Sequence, residues 1–249
     1  MKKLIFLLFM CIGFSAFAQN NELFEEANAA YADENYREAV KLYEQVLENG
    51  ETSAALEYNL GNAHYKLNHI APSIYHFEKA LQLAPGDEDI KNNLEFARNM
   101  AIDAIEEAPE KGFYELFNSG TSLFSPSGWA WAAIIGMLLF VIFFLAYYFS
   151  HRTLMKRLLF IAGMFFLLLA IASAGIGAMK LKLEQENSFA IVFSEEAEVK
   201  NEPNLRGTDV FELHEGAKVK VTEDFQDWLE IELPNGNQGW MLKSDLKLL

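Results

Sequence analysis

Residues 61–65 read Gly-Asn-Ala-His-Tyr, and residues 27–31, 34 positions earlier, read Ala-Asn-Ala-Ala-Tyr. With the same offset, apolar or aromatic side chains coincide at four further pairs of positions: Tyr36 with Ile70, Tyr43 with Phe77, Val46 with Ala80, and Leu47 with Leu81. A period of about 20 to 50 residues is typical of proteins built from stacked supersecondary units. Gly61 and Ala27, at equivalent positions, are small enough to let paired helices approach closely. The period therefore predicts an all-α repeat domain.

The repeated pattern resembles the tetratricopeptide repeat, in which small, large and aromatic residues recur on two antiparallel helices. We place the repeats at about 20–53 and 54–87, within a domain of residues 19–110. Two units leave apolar surface uncovered, since about three repeats are needed for stability. Acidic residues at 87–89, followed by apolar residues at helical spacing, predict a cap helix at 88–108 over the second repeat.

The resemblance implies a concave groove lined by the first helix of each pair. Six residues along it are candidates for contact with a bound peptide: Asn28, Tyr31, Asn59, Asn62, Tyr65 and Lys66. In relatives that bind chaperone tails, asparagines at such positions hold the peptide backbone. Phe24 and Asp89 stand where those relatives carry basic residues for a terminal carboxylate, so no carboxylate clamp is expected. Tyr31 and Tyr65 could equally be packing residues between the repeats.

The N-terminus has the pattern of a secretory signal peptide, which we place at residues 1–18. Two lysines precede the apolar run Leu4–Phe14, and Ala16-Phe17-Ala18 supplies the small-x-small cleavage pattern. A competing interpretation is a lipoprotein signal acylated at Cys11. Met10, however, stands where lipoprotein processing needs a small residue. Cleavage of the signal peptide would remove the one cysteine of the sequence, so no catalytic thiol is expected.

Two stretches without a charged residue, 129–149 and 158–179, predict membrane spans. At about 1.5 Å per residue each can cross a hydrocarbon core of ~30 Å as a helix. The loop between them, 150–157, carries three basic residues and no acid, so the positive-inside rule places it in the cytoplasm. Both termini are then periplasmic, in agreement with a signal peptide. The sequence thus predicts a two-pass protein of a bacterial inner membrane, with linkers at 111–128 and 180–188.

The C-terminal segment changes to an alternation of apolar and polar residues, with Leu229, Ile231 and Leu233 on one side. Residues 189–249 resemble a bacterial SH3-type domain, which implies a small all-β SH3-like barrel. Three aromatic residues are candidates for a ligand surface: Phe225, Trp228 and Trp240. For Trp240 the pattern favours the alternative of a place in the barrel core.

Charge and motif content exclude several classes of function. The net charge of −15 disfavours nucleic-acid binding and favours a basic peptide or a protein over an anionic polymer. The sequence contains no H-E-x-x-H, G-x-S-x-G, phosphate-binding loop or C-x-x-C pattern. The predicted spans hold no ionisable residue, which disfavours a transporter. We therefore expect no catalytic residue, no cofactor and no metal site.

Taken in order, the chain is predicted to be multi-domain: signal peptide, tetratricopeptide pair, two-helix transmembrane hairpin and SH3-like barrel. This order resembles the BatE family of the Bat aerotolerance operons of Bacteroidetes-type bacteria. The resemblance implies an aerotolerance-related inner-membrane complex with Bat-type partners, some of which carry von Willebrand type A domains. We therefore expect a non-enzymatic membrane-anchored scaffold that presents protein-interaction modules in the periplasm. The alternative is an anchor that binds cell-wall peptidoglycan through its SH3-like domain.

Overall fold

The structure is a computed structural model that describes residues 20–103, 120–121, 123–186 and 188–249. These residues form two compact units. The first contains the N-terminal helices together with the β-strands, and the second contains the two long apolar helices that lie between them in sequence. The predicted signal peptide lies outside the described residues, as does most of the linker predicted before the first span.

Five helices lie within residues 20–103: α1 (residues 20–32), α2 (Tyr36–Glu48), α3 (Ala54–Lys66), α4 (Ile70–Leu83) and α5 (Glu88–Arg98). The close approach of α3 and α4 depends on Gly61, because a Cβ atom at this position would lie 2.8 Å from Cδ1 of Phe77. Phe77 itself is fully buried, like its counterpart Tyr43 in the first repeat. The predicted helix pairs are confirmed.

Two local features follow the same 34-residue period. Ser53 and Asp87 cap α3 and α5 with their side-chain oxygens, which accept hydrogen bonds from backbone N–H groups of the first turn at 3.1 Å and 2.9–3.2 Å. Glu34 and Asn68 both adopt a φ of 60°, in the turns before α2 and α4. Helix α5 therefore begins as the first helix of a third unit would.

The cap helix is shorter than predicted. It ends at Arg98 instead of 108, and residues 99–103 form turns; residues 104–108 lie outside the described part of the chain. The backbone N–H groups of Met100 and Ala101 bond three residues back instead of four, which tightens the chain out of the α-helical path. Asp103 Oδ2 then accepts a hydrogen bond from the backbone N–H of His214 at 2.6 Å. The other carboxylate oxygen, Oδ1, lies 3.1 Å from Nδ1 of the His214 ring.

The second unit is a pair of long apolar helices, α6 (Pro126–Phe149) and α7 (Thr153–Glu186). Both are long and apolar enough to cross a membrane. Ser125 caps α6 and Pro126 occupies its first turn, where a missing N–H is harmless. The helices pack closely where Gly136 meets Ala170: a Cβ atom on the glycine would lie 3.1 Å from that of the alanine.

Both helices exceed the predicted spans, and two predicted segments need correction. The predicted loop 150–157 is reduced to residues 150–152, because α7 already begins at Thr153. The predicted linker 180–188 is helical as far as Glu186. Residues 180–186 contain lysine, leucine, glutamate and glutamine only, all good helix formers, so nothing local ends the helix at the edge of the apolar stretch.

The C-terminal strands form one seven-stranded sheet in the order β3-β2-β6-β5-β4-β1-β7. Their bounds are β1 (Ser188–Val192), β2 (Glu196–Lys200), β3 (Asp209–His214), β4 (Lys218–Phe225), β5 (Trp228–Glu232), β6 (Gln238–Leu242) and β7 (Leu246–Leu248). Val199, Val219, Ile231 and Met241 are completely buried at the centre of its core. A turn at 234–236 joins β5 to β6, with Gly236 at a φ of 87°. The predicted combination of helical repeats, two long apolar helices and a small antiparallel β module is confirmed.

Candidate functional site

Two asparagine pairs join neighbouring units across α1, α3 and α5. Asn59 Nδ2 donates to Asn28 Oδ1 at 3.0 Å, and Asn93 Nδ2 donates to Asn62 Oδ1 at 2.9 Å. The second pair lies 34 residues after the first, so the same side-chain bridge is built twice. The structure thus connects three of the six predicted groove residues. The sequence alone does not single out Asn93, although its distance of 34 residues from Asn59 is the signal that would have found it.

Tyrosine hydroxyls hold the asparagine pairs in place. Tyr43 is buried beneath the first pair, and its hydroxyl donates to Asn28 Oδ1 at 2.7 Å. Burial raises the pKa of Tyr43 to about 12, so the hydroxyl keeps its proton at any physiological pH. In the second pair, Asn93 Nδ2 also donates to the Tyr58 hydroxyl at 2.8 Å. All four asparagines are half-buried. Their hydrogen bonds hold the side chains in place, and the part that remains exposed is accessible to a ligand.

The pairs leave one amide Nδ2 group, with both of its N–H donors, unused among the described residues of each repeat. Oδ1 of Asn28 and of Asn62 accepts bonds from neighbouring side chains, whereas their Nδ2 groups donate no hydrogen bond to any described residue. An amide Nδ2 carries two N–H donors, and its natural acceptor is a carbonyl oxygen. The face formed by α1, α3 and α5 can therefore offer donors at repeat spacing to the carbonyl groups of an extended chain.

The other three predicted groove residues do not join this array. Tyr31 packs against the core of the first repeat, with its ring centroid 5.2 Å from that of Tyr36, and burial raises its pKa. Tyr65 packs against the core of the second repeat. Lys66 is exposed at the end of α3. The two tyrosines thus contact the apolar cores of the repeats, and their contact with a bound peptide stays a prediction.

Three histidines of the repeat region form a cluster that the sequence did not indicate, with His64 and His76 buried and His69 exposed. His76 Nδ1 lies 2.7 Å from Oε2 of Glu57, and the rings of His64 and His76 stack at 5.4 Å. Nδ1 of His69 lies 3.2 Å from Nδ1 of His64. Burial, with the neighbouring histidines, lowers the pKa of His64 to about 3, so this ring stays neutral. Among the described residues no group of three potential ligands is arranged to hold a metal ion, and the cluster belongs to the helix packing.

The aromatic residues of the β module divide between two places. Trp240 is half-buried and alternates with the core residue Met241, so its ring faces away from the core. The favoured core position for Trp240 is therefore wrong, because strand alternation gives that place to the methionine. Phe225, 44% exposed, lies beside it, with ring centroids 6.4 Å apart. Trp228 is 7% exposed and lines a separate cleft.

This cleft has a volume of about 450 Å³ and an acidic rim. Its wall includes Trp228 and Leu205, and three carboxylates surround it: Glu196, Glu198 and Asp245. One cation, Lys200, is already engaged by Asp209 at 2.6 Å and Glu198 at 2.9 Å, and these hydrogen bonds raise its pKa. The remaining negative charge suits a positively charged group.

Comparison with known families identifies two of the modules. The sequence profile of the tetratricopeptide repeat matches residues 54–87, and that of the bacterial SH3 domain matches residues 195–247. The chain contains a tetratricopeptide repeat and a bacterial SH3 domain. Both matches agree with the helices and strands described above.

Whole-protein comparisons add little to this. No curated protein matches the chain. A solved structure of an NlpC/P60 family protein from Bacillus cereus is similar over 28% of this chain and 23% of its own, with 17% identity and a TM-score of 0.22. The chain thus spans about a quarter of that protein.

Proposed function

We propose that the protein is a non-enzymatic, membrane-anchored scaffold whose repeat groove binds an extended segment of a partner protein in the periplasm. The observation that carries the proposal is the repeated asparagine pair, which leaves an Nδ2 donor in each unit at Asn28 and Asn62. Main-chain carbonyls of an extended peptide recur regularly and are natural acceptors for such donors. Because Phe24 and Asp89 stand where related repeats carry basic residues for a terminal carboxylate, the groove suits an internal segment.

Membrane anchoring by α6 and α7 is supported by their length, their composition and their surface. Most of their large apolar side chains, such as Leu138, Ile142 and Phe165, are exposed, as lipid contact would require. Arg152 lies in the turn between them, and Lys156 and Arg157 lie near the start of α7, which favours a cytoplasmic turn and periplasmic modules.

Charge narrows the class of partner. The cleft of the SH3 module has three carboxylates around Trp228, and the chain as a whole carries −15. A basic or neutral protein segment is therefore a better ligand than an anionic polymer. The finer part of the proposal is a place in an aerotolerance-related complex with Bat-type membrane proteins, some with von Willebrand type A domains. It is supported by the order of the modules along the chain.

The test is purification of the full chain from crosslinked cells in mild detergent, with identification of the co-purifying proteins. We expect at least one other membrane protein, and we expect its recovery to fall about tenfold or more when Asn28 and Asn62 are both replaced by alanine, since each lost hydrogen bond costs about 1 kcal/mol or more. The matched control is Asn92→Ala, an exposed asparagine on α5.

Two results would contradict the scaffold. One is equal recovery of the partner by the double variant and the Asn92→Ala control. The other is the absence of any partner, together with sedimentation of the full chain on purified peptidoglycan. That second result would favour the cell-wall anchor, with binding through the SH3 module.

A further inference from the structure

We infer that the SH3 module is the cap of the repeat array, so that the two modules form one composite unit into which the helical hairpin is inserted. Two repeats and a short α5 leave apolar side chains on α4 and α5 that a following repeat would normally cover. Ile74 and Ala97, on these two helices, are nevertheless completely buried.

The β module supplies the missing cover. In β1, Ala190 and Val192 point into the core of the barrel, so Ile191 between them points out of it. Ile191 is nevertheless completely buried, because it belongs to the apolar cluster of α4 and α5. Phe193 and Leu249 pack against the same cluster. An isoleucine that faces away from its own barrel is thus part of the core of the repeats.

The turn between β3 and β4 fits closely against the helices. A Cβ atom on Gly216 would lie 2.9 Å from Cδ1 of Ile74, 3.1 Å from Cγ2 of Ile70 and 3.3 Å from Cβ of Ala101. Gly216 has a φ of 89°, and its N–H donates to the carbonyl oxygen of Val192 at 2.9 Å. The turn therefore meets the helices with its backbone, where no side chain would fit.

Charged groups pair across the same surface. Glu78 of α4 is buried between Arg98 of α5 and Lys218 of β4, with the Lys218 ammonium at 2.9 Å. The Lys247 ammonium lies over the ring of Tyr75 at 4.2 Å. A buried carboxylate needs such partners, and here one of the two comes from the other module. Together with the contact of Asp103 and His214, these pairs fix the orientation of the barrel on the repeats.

The composite unit changes what the modules can do. The SH3 module is not a binding domain on a free tether, since one of its faces is committed to the repeats. A barrel that covers the repeats must also lie on the same side of the membrane as they do, whichever side that is. The groove and the acidic cleft are then held at a fixed separation, so two partners, or two segments of one partner, are presented in a set geometry.

The test uses the full chain in its membrane, with Cys11 replaced by serine and one cysteine pair introduced at Ala101 and Gly216. Their Cβ separation of 3.3 Å is close to the 3.5–4.5 Å or so that a disulfide requires. Mild oxidation is expected to join the two positions within one molecule, detected by mass spectrometry of the linked peptides. The control pair is Ala101→Cys with Phe225→Cys. Phe225 ends β4 at the opposite end from Lys218, roughly 23 Å away along the strand.

A cysteine at position 216 would be strained, because the backbone of Gly216 is left-handed. A second measurement therefore leaves Gly216 unchanged. Ile191→Ala is expected to accelerate hydrogen exchange of the α4 and α5 amides about tenfold or more, while the exposed Val210→Ala leaves it unchanged. The composite unit is overturned if the Ala101 and Gly216 pair links no better than the control or only between molecules. It is equally overturned if Ile191→Ala affects exchange in the barrel alone.

Discussion

At the scale of the residue, the buried His64 makes the stability of the repeats depend on pH. Its pKa of about 3 lies below the ordinary value of 6.5, because burial and the neighbouring histidines disfavour the cation. The unfolded chain takes up a proton below about pH 6.5, whereas the folded chain does not. Stability from this group is therefore complete above pH 6.5 and falls by about 1.4 kcal/mol per pH unit as the pH drops toward 3.

Replacement of His64 by leucine should flatten this dependence. Between pH 7 and pH 5, the unfolding free energy of the helical region should fall by about 2 kcal/mol less in His64→Leu than in the unchanged protein. Thermal or denaturant unfolding of the purified chain, followed by helical circular dichroism at the two pH values, measures the difference. His151→Leu, in the turn between α6 and α7, is the control and should keep the original slope. An unchanged slope in His64→Leu would rule out this histidine as the source.

At the scale of the element, the contact between α3 and α4 depends on a glycine. The absent side chain of Gly61 leaves room for the ring of Phe77, which would lie 2.8 Å from a Cβ atom. Gly61→Ala is expected to destabilise the helical region by about 1–3 kcal/mol through overpacking, despite the better helix propensity of alanine. A smaller side chain at position 77 should relieve the clash. The loss of stability caused by Phe77→Leu should therefore be smaller in the Gly61→Ala background than in the unchanged protein. Melting temperatures of the four proteins test this, and strictly additive effects would contradict it.

The elements also show where sequence reasoning works and where it fails. Patterns with a local period, such as the 34-residue repeat and the alternation in β5, predicted helices and strands because each element's own residues carry the signal. The contact of Asp103 with His214 beyond the end of α5 and the burial of Ile191 against the helices join positions about a hundred residues apart. Such contacts produce no periodic pattern in the amino-acid sequence. The sequence pattern places Trp240 on the wrong face for a related reason: only the register of β6 distinguishes it from Met241.

At the scale of the whole molecule, Glu78 connects the repeats to the SH3 module through a pH-dependent ion pair. Burial raises its pKa, but Lys218 and Arg98 outweigh that effect and hold the pKa below its ordinary value of 4.5. A carboxyl group of this kind stabilises the fold above the unfolded pKa and ceases to do so as the pH falls through its folded value. The connection should therefore be intact at neutral pH and weaken only below about pH 4.5.

Glu78→Gln should remove this contribution and leave two cations without their shared carboxylate. We expect a loss of about 3–5 kcal/mol at pH 7, as is common when one member of a buried ion pair is removed. The gap between the two proteins should narrow as the pH falls below about 4.5, because Glu78 of the unfolded chain then takes up a proton more readily than Glu78 of the folded chain. Denaturant unfolding at pH 7 and pH 3.5 measures both values, and the exposed Glu88→Gln should differ little from the parent. A gap of the same size at both pH values would mean that Glu78 acts through packing alone.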